Sequence, residues 1–244
     1  MTDFVFLHGG GQGGWVWDET IAALQAQAGE GTHRLLALDA PGCGAKRGRD
    51  TSAITFEEIT AELVGDIEAA GLGDVVLVGH SQAGAHMPAM AELRLALFRQ
   101  LIFVTCTAPD PGLTVVQMTG ERVHKERHPF HDSTLPVRER YRAMFCNDMA
   151  PLEADAFLDR LGEDQWPPVC YSHSDWRYDH LAELPVSYVL CLEDAILPLA
   201  WQEYFARAVH ARSTPRIDAG HQVMNTRPHA LAEVLLCEAL GEAA

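Results

Sequence analysis

With 244 residues, 48% of them hydrophobic, the chain can bury one full core and has little room for several, so residues 1–244 are expected to form a single domain. A formal net charge of −16, unrelieved by any basic run, would repel a phosphate backbone and sets nucleic acid aside as a partner. No apolar run approaches membrane-spanning length, the chain enters a strand directly after Met1-Thr2-Asp3 with no room for a signal peptide, and the six cysteines lack paired spacing; a cytoplasmic protein with reduced thiols and no membrane partner is expected, as monomer or homodimer.

The first predicted element is the apolar strand Phe4–Leu7, which runs into the glycine-rich turn HGGGQGG. Only bare backbone lets a chain come so close to a bound molecule. The Gly10 N–H is a candidate donor to a developing oxyanion, a contact worth about 2.7–4 kcal/mol of barrier, and Gly9 is a candidate substrate contact. A phosphate loop is set aside because no Gly-Lys-Ser/Thr follows and no ribose-binding acid is evident. A helix over Asp18–Ala28, a strand over Leu35–Leu38 and a helix over Phe56–Ala70 come next.

The segment VVLVGHSQAG, Val75–Gly84, is the most informative in the chain. A strand over Val75–Val78 ends in Gly-His-Ser and passes into a small-residue segment, predicted as a helix over Gln82–Phe98. Ser81 in such a nucleophile elbow projects its hydroxyl from a strained strand-to-helix turn, while the helix N-terminus offers backbone N–H groups. Ser81 is therefore the candidate nucleophile, the Gln82 N–H the second oxyanion donor, and His80 a substrate contact. The turn brings the residues two before and two after the serine almost into contact, so both must be small; Gly79 and Ala83 occupy those places.

After a strand over Leu101–Thr105, the segment from about 111 to 180 is too long for an ordinary connection and reads as a lid above the strands' carboxyl ends. Trp166, Tyr171, Trp176 and Met118 are its candidate apolar wall for a substrate. His124, His128 and His131, in the basic, proline-broken HKERHPFH, read as a solvated loop rather than a zinc site. No metal or cofactor is expected. Cys106 and Cys191, at predicted strand ends, read as small buried apolar residues.

A strand over Val186–Cys191 leads to a turn carrying Glu193 and Asp194, either of which would stand at the strand's carboxyl end. Then come a helix over Leu199–Val209, a strand over Thr214–Ile217, and His221 behind Gly220, before a last helix over Pro228–Leu240. His221 is the candidate general base. Serine, acid, histidine is the chain order of the hydrolase triad, with Asp218 a weaker rival for the acid. The alternation of strands and helices predicts a mainly parallel, twisted sheet covered on both faces.

FLHGGGQGGWVW, LLALDAPGCG, VVLVGHSQAG, FVTCTAPDPG, YVLCLEDAILP and AGHQVM, in this order from Phe4 to Met224, resemble the serine α/β-hydrolases, and more narrowly the small methylesterase and hydroxynitrile-lyase group best known from plants. The resemblance implies the α/β-hydrolase fold with a lid and carries the triad onto Ser81, Asp194 and His221; it prefers Asp194 over Glu193 because the acid stands four residues before Pro198. Ala83 departs from the usual glycine. The cyanohydrin-cleaving members have a lysine after the histidine and a threonine in the oxyanion turn, where this chain has Gln222 and Gly10, so ester hydrolysis leads. The expected activity is cleavage of a carboxylic ester, or a related lactone or thioester, of a small to medium organic substrate through an acyl-enzyme, using a Ser-His-Asp triad. The rival readings are a non-hydrolytic lyase, cyclase or cofactor-free oxygenase in the same pocket, and a non-catalytic ligand receptor.

Overall fold

The computed structural model describes residues 2–124, 128 and 131–241. Six parallel strands, β1 (Asp3–Leu7), β2 (Arg34–Leu38), β3 (Val75–His80), β4 (Phe98–Val104), β5 (Val186–Cys191) and β6 (Arg216–Ile217), form a sheet in the order β2-β1-β3-β4-β5-β6. The chain first steps outward from β1 to β2 and then returns to β3 on β1's other side. That reversal opens a crevice at the carboxyl ends of β1 and β3, the place where open α/β sheets bind ligands.

Alternation along the strands sorts the core into two layers. Val5, Leu7, Leu77, Leu101, Phe103 and Tyr188 pack on one face under helices α2 (Phe56–Ala69) and α3 (Met87–Leu93), whereas Phe4, Phe6, Val76, Val78, Ile102 and Val189 pack on the other under α1 (Asp18–Ala28). Local chemistry sets the helix limits. Thr55 and Glu58 form a reciprocal capping box at the start of α2, and α1 stops at Gly29, whose φ is +86°.

The predicted helix over Gln82–Phe98 is broken in the structure. A 3₁₀ turn at Ser81–Ala85 precedes α3, a second at Leu95–Leu97 follows it, and β4 already starts at Phe98. Pro88 near the start of α3 has no N–H to continue the preceding turn, and Arg94 leaves helical geometry at φ −144°. β6 is also shorter than expected, because Pro215 supplies a carbonyl to Leu190 but has no N–H to give back.

Between β4 and β5 the chain carries a π-helical turn at Gln117–Val123, α4 (Val137–Phe145), α5 (Pro151–Arg160), α6 (Val169–Ser172) and a 3₁₀ turn at Asp179–Glu183. This insertion is hydrogen-bonded to the loops at the sheet's carboxyl edge: Gly162 N–H to the Gly11 carbonyl at 2.9 Å, and Trp166 Nε1–H to the Gly9 carbonyl at 3.0 Å. α7 (Leu199–Ala208), α8 (Val223–Thr226) and α9 (Pro228–Leu240) complete the chain, α7 over the face that carries α2 and α9 beside α1. Among the described residues, no helix is long and apolar enough to cross a membrane.

Candidate active site

Three loops bring Ser81, His221 and Asp194 into one hydrogen-bonded line. Ser81 follows β3 directly and holds φ +54°, a left-handed conformation that costs a non-glycine residue free energy and lifts its side chain off the strand. His221 lies four residues beyond β6, buried, with Nε2 3.0 Å from Ser81 Oγ and Nδ1 2.7 Å from Asp194 Oδ2. Because the carboxylate only accepts, Nδ1 carries the proton and Nε2 presents its lone pair to the serine hydroxyl. Glu193 and Asp218, the alternative acids, are exposed.

Packing explains the residues around the serine. A Cβ on Gly79 would stand 2.9 Å from the Ala83 methyl and 2.2 Å from Met87 Sδ, so the turn has room for one methyl between positions 79 and 83, and Ala83 uses it. The second strict glycine is Gly84, where a Cβ would come within 2.3 Å of the Thr107 carbonyl. Gly220, before the histidine, faces the insertion: its N–H donates to Asp148 Oδ2 at 2.8 Å, and a Cβ there would collide with Asn147 and Asp148.

Gly10 and Gln82 meet beside Ser81, since a Cβ on Gly10 would lie 3.9 Å from Gln82 Cβ. Gln82 stands in the first turn of its 3₁₀ segment, where N–H groups lack intrahelical partners. Above them opens a cavity of about 580 Å³, bounded by Gly10, Ser81, Gln82 and Thr107 below and by Val115, Met144, Phe145, Leu161, Trp166 and Tyr171 from the insertion. The Tyr171 hydroxyl is 3.4 Å from the Cβ position at Gly10, and burial pushes its pKa up, so it stays protonated. The Asp164 carboxylate borders the cavity yet is committed to Trp15 Nε1–H, Gly44 N–H and Arg47, and the rest of the lining mixes apolar side chains with neutral polar ones such as Gln82, Thr107 and Tyr171.

Of the expected substrate contacts, Trp166 and Tyr171 line this cavity. Gly9, His80 and Met118 do not: Gly9 is packed against His80 and the Ser81 Cβ, His80 donates Nε2–H to the His221 carbonyl at 2.9 Å, and Met118 is fully buried inside the insertion. The side chain before an elbow serine points down into the sheet layer, and Met118 turns inward on its π-helical turn. Trp176 likewise packs away from the cavity, its Nε1–H bonded to the Leu113 carbonyl.

Of the histidine-rich loop, residues 125–127, 129 and 130 lie outside the described residues; His131 is exposed, as the solvated reading has it, and His124 is not. His124 is buried and borders the cavity, stacked on His128 with ring centroids 3.8 Å apart, and their Nε2 atoms bond the carbonyls of Ile196 and Ala195 behind the acid. Burial holds the His124 pKa down to about 4. Only the fold could reveal this contact, because the loop and its carbonyl partners are some 70 residues apart. Among the described residues no cluster of three or more His, Cys, Asp or Glu could hold a metal ion. Cys106 and Cys191 are buried, and burial pushes both thiols up, away from thiolate chemistry.

Residues 4–234 match the alpha/beta hydrolase family. The chain belongs to that family. Within it the protein falls in the small esterase group and is a carboxylesterase-like enzyme. It is 27% identical to the carbendazim hydrolyzing esterase of Nocardioides sp. (strain SG-4G) over 96% of this chain and 98% of that one, and 24% identical to polyneuridine aldehyde esterase of Rauvolfia serpentina over 96% and 94%. Among solved structures, an extracellular alpha/beta-hydrolase from a Paenibacillus species superposes with a TM-score of 0.79 at 22% identity, covering 98% of this chain and 99% of that one, a likeness of fold.

Proposed function

We propose that this alpha/beta hydrolase cleaves a carboxylic ester, or a related lactone or thioester, of an uncharged small to medium organic substrate through an acyl-enzyme. Ser81 attacks the carbonyl carbon while His221 Nε2 takes its proton, and Asp194 holds the imidazole in the required tautomer and supports the imidazolium that forms. The Gly10 and Gln82 N–H groups receive the charge that develops on the carbonyl oxygen. His221 then returns the proton to the leaving alcohol, and water repeats the sequence on the acyl group.

The observation that carries this reading is the unbroken line from Ser81 Oγ through His221 to Asp194 at the floor of an apolar cavity. Among the described residues lining the cavity the one carboxylate, Asp164, is already paired with Arg47, which favours neutral esters. Relatives named for hydrolysing carbendazim and polyneuridine aldehyde esters agree with a medium-sized organic substrate.

The test compares the native chain with Ser81→Ala on p-nitrophenyl acetate, together with a fluorophosphonate probe read by intact mass and peptide mapping. Turnover is expected to fall by at least about 10³-fold and labelling at Ser81 to vanish. Near-native ester cleavage by Ser81→Ala would overturn the proposal. An unlabelled native Ser81 would also count against it and turn attention to non-hydrolytic chemistry or ligand reception.

A further inference from the structure

Thr105 is the residue immediately past β4, fully buried, and it holds φ +37°. A β-branched side chain at positive φ is a backbone outlier, and such strain persists only where the surroundings enforce it. The local ladder does not relieve it, for Thr105 N–H already donates to the Val189 carbonyl at 3.0 Å as an ordinary strand residue would. What the conformation achieves is a contact: the Thr105 hydroxyl donates to Asp194 Oδ2, the same oxygen that accepts His221 Nδ1–H. Asp194 Oδ1 accepts from the N–H groups of Ile196 and Leu197 at 2.7 and 2.8 Å. The carboxylate is thus gripped by two backbone amides on one oxygen and by a hydroxyl and an imidazole on the other.

We infer that Thr105 is a positioning residue of the active site, whose strained backbone aims a hydroxyl at Asp194 Oδ2 so that the carboxylate holds the His221 ring in line with Ser81. This rests on the reading of Ser81, His221 and Asp194 as the reacting residues. The two amides hold Oδ1 from the acid's own loop, and the hydroxyl holds Oδ2 from a different strand, so the carboxylate plane is fixed at both oxygens.

The other ionisable groups against this site bear on how a pH profile is read. His80 lies beneath, its ring centroid 4.6 Å from that of His221, and burial keeps it neutral. His124 and His128 approach from the insertion, both with pKa values lowered by burial, and Asp148 stands behind Gly220. Tyr188 and Cys191 of β5 also feel the Asp194 charge, and burial pushes both up.

The experiment uses Thr105→Val, Thr105→Gly and Thr105→Ser in the full chain, assayed for kcat, KM and the pH profile of kcat/KM on p-nitrophenyl acetate. Thr105→Gly removes the hydroxyl while relaxing the backbone, so it serves if Thr105→Val folds poorly. Both are expected to lower kcat by about ten- to a hundredfold with KM little changed, as a slightly misplaced catalytic group does. The acid limb should move up by about half a pH unit, because a carboxylate with one donor fewer supports the imidazolium more strongly. Thr105→Ser should restore both kcat and the limb. Native kcat and profile in folded Thr105→Val or Thr105→Gly would overturn the inference, and so would a Thr105→Ser variant as slow as the hydroxyl-free ones. Failure of the underlying triad reading has a separate signature, persistence of turnover in Ser81→Ala.

Discussion

At the scale of single residues, His86 marks where this chain gives up stability. It is fully buried, stacked on Phe56 with ring centroids 4.4 Å apart and tilted against Trp166 at 4.7 Å, and among the described residues neither ring nitrogen has a hydrogen-bond partner. An orphaned buried polar group costs about 1–3 kcal/mol, and burial pushes the His86 pKa down to about 3. Below its ordinary pKa of 6.5 the unfolded chain binds a proton that the folded chain refuses. Stability should therefore fall as the pH drops from about 6.5 toward 3, by up to about 1.4 kcal/mol per pH unit for this ring. Replacing His86 by Phe keeps the stack and removes the orphans. Thermal melts at pH 7 and pH 5 should show His86→Phe at least as stable as the native chain at pH 7 and losing less on acidification; equal losses would show that the acid sensitivity lies elsewhere, for instance in His80 or His8.

At the scale of elements, the β3–elbow–α3 unit shows which demands of the sequence pattern are physical. The requirement for small residues on either side of Ser81 was legible, and the distance between the Gly79 Cβ position and the Ala83 methyl states it in ångströms. The displacement of the second strict glycine to Gly84 was not, because its cause is the Thr107 carbonyl on a different strand's exit loop. Gly79→Ala should be costly, since the new methyl meets both Ala83 and Met87; overpacking of this kind costs about 1–3 kcal/mol. A lower melting temperature and slower fluorophosphonate labelling of Ser81 are expected together. Ala83→Gly should label at the native rate, and a large loss there would show that the methyl itself shapes the elbow.

For the whole molecule, buried polar contacts join apolar packing in holding the insertion down. Asp164 is buried and receives Trp15 Nε1–H at 2.9 Å, Gly44 N–H at 2.8 Å and Arg47 Nε–H at 2.8 Å, tying the insertion to the loops after β1 and β2. Arg47 is largely exposed and can return to water, but the Trp15 and Gly44 donors would be stranded without the carboxylate. Asp164→Ala should therefore lower stability by about 2–3 kcal/mol. Hydrogen exchange should show the loosening concentrated in the segments around 160–170 and 40–47, with the central strands still protected. Uniform loss across the sheet would mean that the insertion and the sheet unfold as one unit.

The sequence by itself determined the sheet and the helices on its two faces, because strand alternation, helical period, capping and turn chemistry are written within a few neighbouring residues; it offered Ser81 and His221 by their turns, whereas Asp194 was preferred to Glu193 only through a resemblance. The breaks around α3 followed from Pro88 and from where the next strand had to start. Tertiary structure alone decided that His80, Gly9 and Met118 stand behind the cavity wall while Trp166 and Tyr171 form it, that His124 is buried against the acid loop, and that the Thr105 hydroxyl meets Asp194. Each of these is a contact between segments tens of residues apart, and no local pattern encodes which side of a loop will face the substrate until the chain has packed around it.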